Sequence, residues 1–165
     1  MKTLRHTLSM ALLAISTLLG FTGRREVIHN EASTAGTHAN GIIPLAAEVT
    51  VTTRFLAVQK GTADNGFILN VAATRPWGVC LDEPTSGNKA AVAIFGCAPG
   101  TLKVRASKAI AVGAKVWSAA GGKFTDTYSA GMFFVGRAVT PAGADGDLFE
   151  LAHCFPMLDA SGTTL

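Results

Sequence analysis

The chain has 165 residues, 18 of them glycine, with 7% aromatic and 15% charged residues and a formal net charge of +3. A chain of this length makes one domain that buries roughly 70% of its extended surface. Abundant glycine and few charges suit a turn-rich β protein and exclude a helical bundle, which would need more Glu, Lys and Leu. The charge is too small to imply nucleic-acid binding and is uneven: residues 1–60 hold six Lys/Arg against three acids, residues 61–165 eight against eight.

Lys2 and Arg5 precede an apolar run from Leu8 to Phe21. This has the charge and length of a secretory signal peptide and is too short to span a bilayer comfortably. The cleavage site is poor, because Phe21 stands two places before Gly23 where an Ala-like residue is wanted. A second reading is helical: Leu4, Leu8, Leu12, Ile15 and Leu19 recur at three and four residues, with Gly20 as a stop. Such a stripe, continued by Arg24 and Arg25, would dock on a partner subunit. Residues 22–41 have no sustained period and are rich in small polar side chains, as in an extended arm. His29 and His38 lie there and His153 far away, with no metal-ligand spacing among them. The division read from the sequence is an N-terminal arm over residues 1–46, with a helix-like apolar segment over 4–21, a β-rich domain over 47–156, and a tail over 157–165.

Ile42 to Pro44 leads into Glu48–Lys60, where Val49, Val51, Phe55 and Ala57 predict a long, bent strand. Gly61–Gly66 is a turn and Phe67–Val71 the next strand. Arg75–Asp82 and Lys89–Gly96 flank a Pro/Ser/Gly/Asn loop, which reads as strand, turn, strand. Thr101–Arg105 follows, and then Ala109–Trp117 with Gly113 as a break. Ala119–Phe124 is a tight turn, and Gly131–Val139 and Leu148–His153 complete the set. Phe134–Val139, the loop Thr140–Gly146 and Asp147–Ala152 repeat the grammar of the earlier hairpin: placing Gly78 on Gly136 brings Gly87 and Gly146 to within one residue. About nine short strands at regular spacing point to a small barrel or sandwich of antiparallel strands.

Chemistry is not signalled. Asp82 and Glu83 are adjacent and point to opposite faces of a strand, so they make no acid/base pair. Ser86-Gly-Asn88 and Ala119–Gly122 open no predicted helix, as a phosphate cradle would require. No GxSxG, HExxH or paired CxxC occurs, and Cys80, Cys97 and Cys154 read as reduced, partly buried thiols. Trp77 and Trp117 are candidates for core packing, for an interface or for stacking on a sugar. Lys103, Arg105 and Lys108 lack the interleaved aromatics of a single-strand nucleic-acid groove.

Several phrases, in order, carry a resemblance: Arg54–Gly61, Arg75–Asp82, Ala91–Gly96, Gly100–Ser107, Ala109–Val116, Ala120–Lys123 and Val135–Val139. Over roughly Ala47 to Pro156 the chain resembles the small capsid cement or head-decoration proteins of tailed bacteriophages. The resemblance implies a compact β-domain, often a homo-trimer, that binds the major capsid protein from outside the shell and reinforces its joints. A component of the virion exterior, assembled in the host cytoplasm, is expected to have no catalysis, cofactor, metal, nucleic acid or membrane as part of its task. It favours a retained arm whose Leu4, Leu8, Leu12, Ile15, Leu19, Arg24 and Arg25 join Trp77 as contact residues. The alternative is an exported bacterial β-domain, periplasmic or surface-binding, with residues 1–23 removed.

Overall fold

The computed structural model describes His38, residues 40–152 and residues 154–159; Leu4 to Arg25 and the rest of the expected arm before His38 lie outside this range. Eleven strands run through the described residues, and no α-helix does. The expectation of a small all-β domain, barrel or sandwich, holds, and the structure contains a closed barrel. Strands β1 (Ile42–Ala47), β2 (Leu56–Lys60), β3 (Gly66–Leu69), β4 (Gly78–Cys80) and β5 (Lys89–Ile94) close a barrel in the order β1-β3-β2-β4-β5. Strands β6 (Leu102–Arg105), β7 (Lys115–Ser118), β8 (Phe124–Thr125), β9 (Phe133–Ala138) and β10 (Leu148–Ala152) form a sheet in the order β6-β10-β9-β7-β8, with β11 (Met157–Leu158) added to β9.

Alternation along the strands produces the core. The paired rows Leu56–Cys80–Val92 and Val58–Gly78–Ile94 face into the barrel, where Leu45, Val51 and the fully buried Phe67 fill it. The row between them, Ala57–Val79–Ala93, faces outward into the second core cluster, with Val104, Ile110, Val116, Phe124, Phe149 and Leu151. Small side chains on that outer row let the C-terminal half approach the barrel backbone. Gly122 belongs to the 3-10 turn Ala120–Gly122, and a Cβ there would stand 2.6 Å from the carbonyl oxygen of Ala57.

The two halves repeat one topology. In each, the first strand pairs with the fifth, the fifth with the fourth, the fourth with the second and the second with the third. The third then meets the first in parallel, as Ala46–Gly66 and Ala47–Phe67 in the barrel and as the single bridge Ala106–Phe124 in the C-terminal half. Loop hydrogen bonds repeat as well. The amides of Glu48 and Ser107 donate to Phe67 and Phe124 at 2.9 and 2.7 Å, and those of Gly87 and Gly146 to Ala47 and Ala106 at 2.7 and 2.9 Å. Gly78 and Gly136 occupy matching places, each pressed against a carbonyl of the neighbouring strand, Ala93 and Ala152. The outward rows differ: where the barrel has Ala57–Val79–Ala93, the C-terminal half has Lys115–Arg137–Ala152. An apolar row accepts a second half; a charged row stays at the solvent boundary and stops the stacking.

Local departures from the sequence expectation have identifiable causes. Glu48–Phe55 is a connection and not part of a long strand, because its polar groups are used sideways. The Glu48 carboxylate accepts from the Thr62 amide and hydroxyl at 3.0 and 2.7 Å and from the Ala63 amide at 2.9 Å, while the Val51 amide donates to Pro84 O at 2.8 Å. Phe55 then turns the chain at φ 69°, a left-handed conformation that costs a non-glycine residue roughly 1–2 kcal/mol. Phe55 and Gly113 donate their amides to the matching carbonyls of Cys80 and Ala138, both at 2.7 Å. Gly113 takes that turn at φ 78°; Phe55 takes it while packing its ring on the shared core. Residues Ile42–Ala47, mostly placed in the arm by the sequence reading, are strand β1. The β1–β3 pairing is parallel, in a set of strands expected to be antiparallel.

The Glu48 latch has a pH signature. Hydrogen bonds from Thr62 and Ala63 favour the charged form and hold the Glu48 carboxyl below its ordinary value. A carboxyl depressed in the folded state contributes stability that is present above its unfolded pKa and lost as pH falls through the folded value. The protection factors of the Thr62 and Ala63 amides, with the intrinsic pH dependence of exchange divided out, are therefore expected to fall on acidification below about pH 4.5. Glu48→Gln should remove that pH dependence; an acid-sensitive protection factor that persists in the variant would show that another group controls the turn.

Candidate functional site

Trp77 follows buried Pro76 and precedes β4. Its amide donates to Val58 O at 2.7 Å and its carbonyl accepts from the Phe95 amide at 3.1 Å, so the backbone is held between β2 and the end of β5. Alternation from Val79 places the indole on the outward face of the barrel. It is 37% exposed. Around it lies a groove of about 380 Å³ lined by Lys60, Arg75, Pro76, Trp77, Ile94, Phe95 and Pro156. Lys60 Nζ donates to the carbonyls of Gly61 and Ala63. Among the described residues, Arg75 makes no hydrogen bond or ion pair, and no acid lines the groove. The site is an apolar floor with two cations on its rim.

Exposed apolar side chains continue beside it. Phe155 is 57% exposed and lies over Gly96, where a Cβ would meet its ring at 3.1 Å. Met157 and Leu158 on β11 are also exposed. The Phe155 amide donates to Val135 O at 3.1 Å, as the Phe95 amide does to Trp77 O. Phe95 is covered by the C-terminal half, whereas Phe155 faces solvent.

The two tryptophans separate in role. Trp117 is buried, donates from Nε1 to Asp159 Oδ2 at 3.2 Å, and packs against Tyr128 and Phe134. Trp77 is the sequence-predicted contact residue that the structure places at the surface; Leu4, Leu8, Leu12, Ile15, Leu19, Arg24 and Arg25 lie outside the described residues. Sequence reading missed Lys60, Arg75, Phe95 and Pro156. Arg75-Pro76-Trp77 was an available signal, since a rigid proline between a cation and an indole fixes their spacing. Pro156 had none, because it is brought in by the fold.

Other candidate residues serve the scaffold. Asp82 Oδ2 accepts from the Ala91 amide at 2.7 Å, and Glu83 pairs with Arg54 at 3.6 Å. Arg105 donates to Arg54 O and Gly146 O, tying the two halves at 2.9 and 2.6 Å, and Lys108 pairs with Asp126 at 3.4 Å. The three cysteines are free thiols: Cys80 buried, Cys154 half-buried, Cys97 exposed. Burial pushes the Cys154 thiol up to about 11 and raises that of Cys80 as well. Among the described residues no cluster of His, Cys, Asp or Glu could hold a metal ion.

The described residues thus form a double β-body that carries an exposed indole and a groove lined by apolar side chains and two cations. Residues 34–153 match the phage cement protein family, and the chain belongs to that family. It is a structural component of the phage capsid. Its fold is similar to that of the head fiber gp8.5 N base of bacteriophage phi29. The TM-score is 0.53 at 23% identity, over 67% of this chain and 90% of that one. No curated protein matches the chain.

Proposed function

We propose that this protein sits on the outside of the capsid shell and binds across neighbouring major capsid protein subunits, reinforcing their joints. The observation that carries this reading is the exposed Trp77 groove on a rigid body that belongs to a cement family. Tryptophan and arginine concentrate binding energy at protein interfaces, and a proline-braced indole loses little conformational entropy on docking. A modest contact suffices on a shell, because a copy that touches two or three subunits gains from effective concentration. The body works as a homo-trimer assembled on the particle in the host cytoplasm, without catalysis. Residues 1–41 reach a neighbouring copy or the capsid protein and bury the stripe Leu4, Leu8, Leu12, Ile15 and Leu19, next to Arg24 and Arg25. At about 25 cal/mol per Å² of apolar area, that stripe would supply several kcal/mol before ordering costs.

The test is co-sedimentation with shells of the phage that encodes the chain, stripped of this protein. Full-length protein should saturate the shells and raise the temperature at which they come apart; a variant lacking residues 2–41 should fold and bind weakly. Full binding by the truncated protein would remove the arm from the mechanism. No binding by the full-length protein, together with an intact mass showing loss of about 23 residues, would replace the capsid reading with an exported β-domain.

A further inference from the structure

The groove beside Trp77 has a chemistry that specifies its partner more narrowly than "capsid protein". Its floor is Ile94, Phe95, Pro76 and Pro156 with the indole of Trp77, and its charged residues are Lys60 and Arg75. Both are cations. Three cations elsewhere on the described surface sit in ion pairs, Arg54–Glu83, Lys108–Asp126 and Lys123–Asp145. At the groove Arg75 is in no ion pair among the described residues, while Lys60 donates to the carbonyls of Gly61 and Ala63 and interacts electrostatically with the Glu48 carboxylate. An unpaired guanidinium beside an exposed indole is a donor fork next to an apolar surface, and it matches a carboxylate carried next to an apolar side chain. A volume of about 380 Å³ holds a few side chains, the scale of a short peptide segment and not of a whole domain face. Two prolines and strand-end backbone fix the walls, so little order must be acquired on binding.

We infer that the Trp77 groove is the receptor for a short extended segment of the shell protein that sets an apolar side chain against Trp77 and Phe95 and a carboxylate against Arg75 and Lys60. This rests on the capsid-binding reading above and names its contact. The two readings are separable. The probe is the same stripped shell, and binding isotherms are measured for full-length wild type, Arg75→Glu, Lys60→Glu, Trp77→Ala and the control Lys103→Glu. Arg75→Glu and Trp77→Ala are each expected to weaken binding about tenfold, with Lys60→Glu close behind and Lys103→Glu near wild type. Raising salt from about 0.05 M to about 0.5 M should weaken wild type more than Arg75→Glu.

Equal binding by wild type, Arg75→Glu and Trp77→Ala would overturn the groove assignment and leave the capsid reading standing. Failure of wild type itself would overturn both. If Trp77→Ala unfolds, Arg75→Glu still decides, because Arg75 is exposed and makes no hydrogen bond or ion pair among the described residues. Sedimentation of the free protein covers the remaining occupant. An oligomer that Arg75→Glu dissociates, with shell binding per protomer unchanged, would assign the groove to a second copy of this chain and overturn the inference.

Discussion

Replacing Gly136 by alanine is expected to destabilise the protein by about 3 kcal/mol or more, near the upper end of what overpacking does. A Cβ at this position would stand 2.0 Å from the carbonyl oxygen of Ala152, 3.1 Å from its carbonyl carbon and 3.3 Å from Leu151 Cδ1. Two of those three neighbours are backbone, so no rotamer change relieves the clash. β9 and β10 would have to part where they pair in the C-terminal sheet. Gly78→Ala should behave alike in the barrel, with Ala93 O at 2.4 Å. The comparison that isolates the effect is Gly146→Ala. That residue has φ 85° but nothing within 4 Å of its Cβ position, so its cost is strain alone, about 1–2 kcal/mol. Urea midpoints for the three variants, at unchanged slope, give the ranking. A Gly136→Ala shift no larger than that of Gly146→Ala would mean that the strands do not approach as closely as described.

Phe124→Ala is expected to be the most damaging core truncation, costing roughly 3–5 kcal/mol. Phe124 and its counterpart Phe67 are both fully buried, but they differ in what they join. Phe67 packs within the barrel's own core. Phe124 lies in the cluster that includes Ala57, Val79, Ala93 and Phe95 of the barrel, and its ring meets Phe95 edge-on at 6.4 Å and 88°. An aromatic pair of that geometry adds about 0.5–1.5 kcal/mol to the area buried, so Phe124→Ala should exceed Phe67→Ala. Because the core crosses between the halves, the wild type should unfold in a single transition, with equal calorimetric and van't Hoff enthalpies. Two resolved transitions in the wild type would mean that the Ala57–Val79–Ala93 row does not couple the halves.

Reading the sequence located most strands, since strand periodicity and glycine-bearing turns are local properties. The Arg75–Gly96 and Phe134–Ala152 stretches emerge as the hairpins β4–β5 and β9–β10, and the placement of Gly78 on Gly136 and Gly87 near Gly146 is matched by repeated hydrogen bonds and close approaches. Glu48–Phe55 was misread because its alternation mimics a strand. Its real partners, the Thr62–Ala63 turn and Pro84, are distant in sequence, and the positive φ of Phe55 leaves no trace in residue type.

The order of residues alone determined that this is a β protein punctuated by glycine, with Arg75-Pro-Trp77 as one rigid phrase and a cement-family signature across most of its length. Alternation, turn chemistry and composition are written in neighbouring residues, so they survive without a fold. Tertiary structure decided that two five-strand halves share one topology, that Trp117 is core while Trp77 is surface, and that Lys60 and Pro156 join Arg75 around the groove. Those facts depend on which strand faces meet. Which faces meet is settled by the lateral row Ala57–Val79–Ala93, small enough for another half to pack on it.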